Sequence, residues 1–260
     1  MLQNNNLSGS LKTNVYVKLV AYAALMLLVP IYFWATGSVW TMSDMVGKAA
    51  ANQAWIGLTY MSSVPYGVIT AAILTLCAIG LARGRVDWRV VVLLCAVSQV
   101  GTQAIKSGVK RLVKEPRPYV VALHKANVPE QLGYAPDSFY AQTKDTKREM
   151  IRATAFDDDT RTVADYQQDE LGYSFPSGHT SFAVSWVLLF AGLLCGQMGV
   201  VAWGFQAALS VWAAAMLFSR VRLGMHFPID LFAATLICLV WHGWIFGWVL
   251  PKLQKRFQAA

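Results

Sequence analysis

The sequence predicts an all-α integral membrane protein: a bundle of six spanning helices with a small polar cap between the third and fourth. Hydrophobic residues make up 56% of the 260 residues, and the mean hydropathy is +0.42. Several apolar runs approach the ~20 residues that a helix needs to cross a hydrocarbon core of ~30 Å. Basic residues cluster at the ends of these runs. This composition excludes an ordinary soluble domain.

Six apolar runs define the predicted spans. We assign them to residues 15–36, 64–81, 90–105, 180–198, 200–218 and 229–250. The first run is too long for the apolar core of a signal peptide, so we expect it to remain as a membrane helix. Positive residues at Lys12, within 83–89 and within 252–256 indicate that both termini are cytoplasmic.

The predicted domain organisation is one membrane domain in three parts. Residues 1–118 hold the first three spans, 119–175 form the polar cap, and 176–260 hold the last three spans. The cap contains both charges and no apolar run, and its place after the third span puts it on the non-cytoplasmic face. All four cysteines lie in apolar runs, which favours small packing residues over disulfides.

The net charge of +8 raises the question of a nucleic-acid partner. The basic residues lie at helix ends rather than along one soluble face, so we expect bilayer lipids and no nucleic acid. The oligomeric state is left open.

The chemistry of the chain centres on residues 219–230, between the last two spans. Pro228 suits the first position of a new helix, which places Asp230 at the third helical position, within reach of His226. A carboxylate that orients an imidazole and raises its basicity makes a nucleophile. The alternative is a helix-capping aspartate beside an interfacial histidine. Arg220 adds a cation suited to phosphate.

The end of the third predicted span is strongly basic. Its cations are Lys106, Lys110, Arg111, Lys114 and Arg117, against one acid. Such a cluster on the outer face opposes the positive-inside tendency. We expect Lys110 and Arg117 to share a helix face by their i,i+7 spacing, where an ammonium beside a guanidinium suits a phosphoryl group. Attraction to anionic lipid headgroups is the alternative.

Residues 176–179, Pro-Ser-Gly-His, open the fourth predicted span. A proline, the Ser177 hydroxyl and the bare Gly178 at a helix start leave backbone N–H groups free to bind an anion. His179 adds a group that can protonate a leaving oxygen. The alternatives are a simple helix cap with a passing histidine, or Ser177 as a nucleophile, which lacks a G-x-S-x-G turn.

Three further features have simpler explanations. The acidic run 157–159 could bind a divalent cation, but a solvated acidic loop is the preferred interpretation. His124 is expected at the surface of the cap. His242, inside the last span, is expected to be neutral, hydrogen-bonded and structural. We therefore predict no metal site.

The three polar stretches together resemble the type 2 phosphatidic acid phosphatase superfamily, whose signature is K-x6-R-P, P-S-G-H and S-R-x5-H-x3-D. No motif position departs from the pattern. The resemblance implies a metal-independent phosphatase without a cofactor, acting through a phosphohistidine on His226 with Asp230 orienting it. It also implies that His179 protonates the leaving group. The implied phosphate ligands are Lys110, Arg117, Ser177, Gly178 and Arg220.

The resemblance further implies lipid phosphate substrates, reached from the periplasmic face of a bacterial inner membrane. The substrates expected are phosphatidylglycerophosphate, undecaprenyl pyrophosphate, phosphatidate and diacylglycerol pyrophosphate. A phosphotransferase of the same fold, using a polyprenyl pyrophosphate donor, stays open. A lipid transporter, from a different class, predicts internal repeats and midplane charges. A soluble vanadate-dependent haloperoxidase would lack the spans.

Overall fold

The computed structural model describes residues 2–197 and 199–258, and all the regular structure in these ranges is helical. The helices are α1 (Leu2–Ala35), α2 (Ala49–Tyr60), α3 (Tyr66–Leu81), α4 (Trp88–Val113), α5 (Pro118–Lys125), α6 (Val128–Gln131), α7 (Lys144–Arg152), α8 (Asp158–Gln167), α9 (Gly178–Leu193), α10 (Val200–Arg222), α11 (Pro228–Trp244) and α12 (Leu250–Gln258). Short 3-10 turns occupy Met42–Met45 and Phe139–Ala141, and a π-helical turn, Ile245–Val249, joins α11 to α12.

Four helical stretches of the described chain are long and apolar enough to cross a membrane. They are Asn14–Ala35, Trp88–Lys125, Val200–Arg222 and Pro228–Phe257. The predicted second and fourth spans form α3 and α9, which have 16 residues each. At 1.5 Å per residue, such helices extend ~24 Å, short of a ~30 Å core. The all-α membrane class is confirmed, while the count of six spans stays a prediction.

Helix α9 lies at the centre of the bundle. Every residue from Thr180 to Leu193 is buried, including the large side chains of Trp186 and Phe190. Helices α1, α3, α4, α10 and α11 all pack against it. It ends at Leu193, earlier than predicted, and the predicted end at Met198 lies outside the described residues. Because neighbouring helices enclose α9, its apolar side chains pack against protein rather than lipid.

Two glycines allow the close packing around this centre. A Cβ atom on Gly192 of α9 would overlap the Phe246 ring, and one on Gly101 of α4 would overlap the Trp241 ring. Trp241 also donates a hydrogen bond from Nε1 to the Val97 carbonyl (3.2 Å). Both glycines are therefore required by the approach of an aromatic side chain from the α11–α12 region.

The polar segment 119–175 folds around a hydrophobic core of its own. Helices α5, α7 and α8 contribute Val120, Leu123, Met150, Ile151 and Val163, all fully or almost fully buried. The same cluster includes Leu223 and Met225, from the turn between α10 and α11. Packing of this segment therefore fixes the turn that leads into His226.

That turn is built from two standard helix ends. Gly224, with φ +69°, follows α10, and the Met225 N–H donates to the Arg220 carbonyl (3.0 Å), as in a Schellman motif. Helix α11 begins with Pro228 at its first position, and Asp230 Oδ2 accepts from the Phe227 N–H (2.9 Å). The positions predicted for Pro228 and Asp230 are confirmed.

Candidate active site

The centre of the site is the pair formed by His226 and Asp230. His226 Nδ1 lies 3.1 Å from Asp230 Oδ2, and both side chains are buried. The Ser174 hydroxyl donates to the same carboxylate oxygen, which also accepts from the Phe227 N–H (2.9 Å). With Nδ1–H donating to the carboxylate, Nε2 is unprotonated and keeps its lone pair. The arrangement supplies an oriented, neutral imidazole.

The surroundings of His226 favour its neutral form, so the expected rise in its basicity is wrong. Burial lowers the pKa of its imidazole well below the usual value, and the charges of Arg117 and Arg220 lower it further. Arg117 Nη1 lies 3.5 Å from His226 Nε2. The Arg117 guanidinium therefore lies beside the nitrogen that carries the lone pair, where it would also attract a phosphate.

Two buried arginines converge beside His226. Arg117 donates to the carbonyls of Gly172 (2.8 Å) and Met225 (3.0 Å), which fixes the guanidinium in place. Arg220 is fully buried and donates to the hydroxyl of Tyr166. Forks of N–H donors held in this way suit the oxygens of a phosphoryl group.

Arg117 reaches this position by a route that differs from the prediction. Helix α4 ends at Val113, and Lys114 has a left-handed backbone with φ 52°. Arg117 is extended and precedes the first residue of α5. It therefore does not share a helix face with Lys110, and the expected i,i+7 relation is wrong. Pro116 and Pro118 cause this, since proline and the residue before it disfavour helix continuation.

Glu170, which the sequence did not single out, joins the two arginines. Its Oε2 accepts from Arg117 Nη2 (2.9 Å), and its Oε1 accepts from Arg220 Nη2 (2.8 Å). Burial alone would raise the pKa of Glu170, but the charges of Arg220 and Arg117 outweigh it and hold that pKa well below the usual value. Glu170 is thus an ionised carboxylate bound between two phosphate-type ligands.

His179 stands on the other side of Glu170. Its Nε2 lies 2.9 Å from the Ser63 hydroxyl and 3.6 Å from Glu170 Oε1. Ser63 comes from the connection between α2 and α3, so three parts of the chain meet at this imidazole. His179 also begins the buried central helix, which holds its backbone rigidly.

A cavity of about 540 Å³ opens in front of these groups. Its wall includes Lys110, Glu170, Gly178, His179 and His226. The two guanidinium groups lie behind Glu170, since Arg117 is only 3% exposed and Arg220 is fully buried. His226 also faces a larger cavity of about 750 Å³, lined mainly by residues of α5 and of the 38–43 segment. The histidine pair and the cations identify the smaller cavity as the candidate site.

Ser177 acts as a helix cap in this structure. Its buried Oγ accepts from the Thr180 N–H (3.3 Å) at the start of α9. Ser177 is fully buried and is not among the residues that line the cavity. Gly178 lines the cavity, while its carbonyl accepts from Gln103 Nε2 (3.2 Å). The P-S-G-H stretch therefore combines a capped helix end with one wall of the site.

Other candidates from the sequence lie away from this cavity. Asp157 caps α8 by accepting from the Thr160 N–H (2.7 Å), so the acidic run 157–159 begins a helix rather than forming the expected loop. His124 pairs with the exposed Asp137 (3.1 Å). His242 is buried and hydrogen-bonded to the Ser98 hydroxyl (2.8 Å) and, through Nδ1, to a backbone carbonyl, as expected for a structural residue.

Sequence reasoning missed Glu170, Ser174 and Ser63. None belongs to a motif, and each reaches the site through the tertiary fold. One signal did exist for Glu170: an excess of cations on one face implies a buried counter-anion, because unpaired buried charge is costly. The polar segment 119–175 supplies it.

The three motifs thus converge on one cavity in an all-helical membrane fold. Residues 88–254 match the profile of the PAP2 superfamily, and the chain belongs to this superfamily, as the motifs predicted. Membership confirms the expected enzyme class, a lipid phosphatase among the hydrolases.

Named relatives extend this similarity over most of the chain. The protein is 36% identical over 244 residues to phosphatidylglycerophosphatase B of Haemophilus influenzae, a match that covers 92% of this chain and 98% of that protein. It is also 36% identical over 222 residues to the proteins of the same name from Escherichia coli K12 and Shigella flexneri, with 83% of this chain and 82% of theirs covered.

Proposed function

We propose that the protein is a lipid phosphatase of a bacterial inner membrane, with its site on the periplasmic face. Its substrates are phosphatidylglycerophosphate, undecaprenyl pyrophosphate or both, with phosphatidate and diacylglycerol pyrophosphate as further members of the class. The observation that carries this proposal is the His226–Asp230 pair, placed against buried phosphate-type ligands at the wall of a 540 Å³ cavity. The names of the relatives support the choice of lipid phosphates.

The reaction proceeds in two displacements. His226 Nε2 attacks phosphorus, an N–P bond forms, and the P–O bond to the leaving group breaks. His179 gives a proton to the departing oxygen, and Asp230 stabilises the charge on the His226 ring. Water then attacks phosphorus with His179 as the base, the N–P bond breaks, and inorganic phosphate leaves.

Charge balance in this reaction comes from the protein's own cations. Lys110, Arg117 and Arg220 bind the non-bridging oxygens, with the Ser177 hydroxyl and the Gly178 N–H at the start of α9. A bound phosphate dianion would take the place of the Glu170 carboxylate against the arginines. The negative charge that it brings favours protonation of His179, as a general acid requires. No step in this scheme calls on a metal ion.

Substrate choice follows from the position of the site. The motif residues can bind only a phosphate and its neighbouring oxygen, which every candidate lipid shares. A lipid already in the bilayer has transferred its CH₂ groups out of water. The favourable free energy of that transfer is about 0.8 kcal/mol for each CH₂ group. Long-chain lipid phosphates should therefore be hydrolysed far better than soluble esters such as glycerol phosphate.

The test is phosphate release by the purified protein from the four lipid phosphates named above, in excess EDTA. Release from phosphatidylglycerophosphate or undecaprenyl pyrophosphate, without an acceptor lipid and with inhibition by vanadate, is expected. Release only when an acceptor lipid is added would instead indicate the phosphotransferase. Activity lost in EDTA and restored by Mg²⁺ would contradict metal independence and give the 157–159 run a role.

A further inference from the structure

The Asp230 carboxylate is hydrogen-bonded through one of its two oxygens. Its Oδ2 accepts from the Phe227 N–H (2.9 Å) and from the Ser174 hydroxyl, and it lies 3.1 Å from His226 Nδ1. Its Oδ1 is also buried, yet no group in residues 2–197 and 199–258 is hydrogen-bonded to it. A buried carboxylate oxygen without a donor is costly. The carboxylate that orients the nucleophile therefore requires a further donor.

Glu115 lies beside Asp230 at the start of α11. Its carbonyl accepts from the Ser174 N–H (2.8 Å), so its backbone is tied to the serine that donates to Asp230. Its half-buried side chain lines a cavity of about 370 Å³ together with Phe227 and Pro228. The carboxyl groups of Glu115 and Asp230 are in hydrogen-bonding contact. No residue that lines this cavity also lines the 540 Å³ cavity, so Glu115 reaches the reaction only through Asp230.

Contact between these two carboxyl groups requires a proton. Two ionised carboxylates at hydrogen-bonding distance repel each other, so such a pair binds one proton and titrates as a unit. Donors from Ser174, His226 and Phe227 already face Asp230 Oδ2, and donors of this kind favour the ionised form of the carboxyl group that accepts them. The negative charge therefore belongs on Asp230 and the proton on Glu115, whose O–H can then donate to Oδ1.

We propose that Glu115 is a positioning residue, a protonated carboxylic acid that donates a hydrogen bond to Asp230 Oδ1. The inference rests on the proposed function. With a donor at each oxygen, the Asp230 carboxylate cannot rotate, and Oδ2 stays aimed at His226 Nδ1 while Nε2 attacks phosphorus. The pair carries one negative charge, which matches the one positive charge of the phosphorylated ring. The Glu115 proton stays in place, and no bond to Glu115 forms or breaks during the reaction.

The experiment measures kcat and KM separately on phosphatidylglycerophosphate for two variants and one control. Glu115→Gln keeps a donor without a charge and should retain kcat within about threefold of the wild type. Glu115→Leu removes the donor and should lower kcat on the order of tenfold or more, the size expected for a lost hydrogen bond to a charged group. The KM should change little, because Glu115 does not line the substrate cavity. The matched control is Glu130→Leu, at an exposed acid of α6, and both of its constants should be unchanged.

Infrared spectroscopy at neutral pH reports the proton directly. The wild type should show the C=O stretching band of a protonated carboxylic acid, and Glu115→Gln should lack it. This comparison needs neither Glu115→Leu to fold nor any substrate to be turned over.

The outcomes separate this proposal from the one on which it rests. A Glu115→Gln variant as slow as Glu115→Leu would show that the negative charge of Glu115 matters, and a raised KM with unchanged kcat would show a contact with substrate. Either result, or a wild type without the infrared band, would overturn the positioning role and leave the phosphatase intact. A wild-type protein inactive on every lipid phosphate would overturn the proposed function itself.

Discussion

Glu170 holds the position that the mechanism gives to a phosphate. Its two oxygens bind Arg117 and Arg220 at 2.9 and 2.8 Å, and it forms the cavity wall in front of both. A planar carboxylate and a phosphate face offer similar pairs of oxygens to a guanidinium fork. Substrate must therefore compete with Glu170 for the two arginines. Without substrate, the negative charge of Glu170 balances the buried positive charges of these arginines.

This competition predicts the effect of Glu170→Gln. Removing the negative charge should tighten phosphate binding, so the inhibition constant of inorganic phosphate and the KM for lipid should both fall, on the order of tenfold. Asp169→Asn is the matched control, because Asp169 lines the same cavity but pairs with neither arginine. Weaker phosphate binding in Glu170→Gln would show that the carboxylate chiefly holds the arginines in place.

The neutral state of His226 predicts the pH dependence of the reaction. Burial and the charges of Arg117 and Arg220 lower the pKa of its imidazole. As the pH falls, His226 therefore stays unprotonated at pH values below the ordinary histidine pKa of about 6.5. The acid limb of kcat/KM against pH should lie below that value. A limb at or above pH 6.5, insensitive to Asp230→Asn, would contradict this description of the nucleophile.

Local sequence patterns predicted the helix ends at the site. Pro228 and Asp230 stand at the helical positions expected from capping rules, because those rules depend on neighbouring residues only. The prediction that Arg117 shares a helix face with Lys110 was wrong, because it continued the helical spacing of α4 past Pro116 and Pro118. Glu170 and Ser174 could not be assigned, since their approach depends on how the 119–175 core packs on the α10–α11 turn.

Among the helices, α9 both forms the centre of the bundle and carries His179 at its first turn. Its packing against the π-helical turn depends on Gly192, where the Phe246 ring takes the place of a side chain. Movement of α9 would also displace Gly178 and His179. Stability and site geometry are therefore coupled through this one helix.

The matched pair Gly192→Ala and Gly204→Ala tests that packing. The methyl group at 192 has no room and should lower the free energy of unfolding by about 1–3 kcal/mol. Gly204, on α10, has open space around it, and alanine there should be neutral or stabilising by up to about 1 kcal/mol. Thermal unfolding in detergent measures both. Equal free energies of unfolding for the two variants would mean that the residues around Gly192 can move to accommodate the methyl group.

Two hydrophobic cores meet at the site. One lies within the long helices, and the other joins the 119–175 segment to residues 45, 56, 223 and 225. The fold class could be predicted because apolar runs reveal spanning helices directly. The number of spans stays a prediction, since α3 and α9 are shorter than a bilayer core and their burial depends on their neighbours.

The six-span arrangement predicts that both chain ends are cytoplasmic and that 119–175 lies across the membrane from them. Single cysteines at Asp137, which is 86% exposed, and at Ala260 provide the test, in a background where Cys77, Cys95, Cys195 and Cys238 are replaced. A membrane-impermeant maleimide applied to intact cells should label position 137 alone. Labelling of both positions, or of neither until lysis, would contradict the topology.

The central claim is that turnover passes through a phosphoryl group on His226. Lipid phosphate carrying a ³²P label at its terminal group, mixed with protein and quenched in alkali, tests it most directly. We expect an alkali-stable, acid-labile label on the peptide containing His226. His179→Ala should turn over roughly 10²–10⁴-fold more slowly, and His226→Ala should show neither label nor turnover. A label on Ser177, or full activity in His226→Ala, would contradict the account.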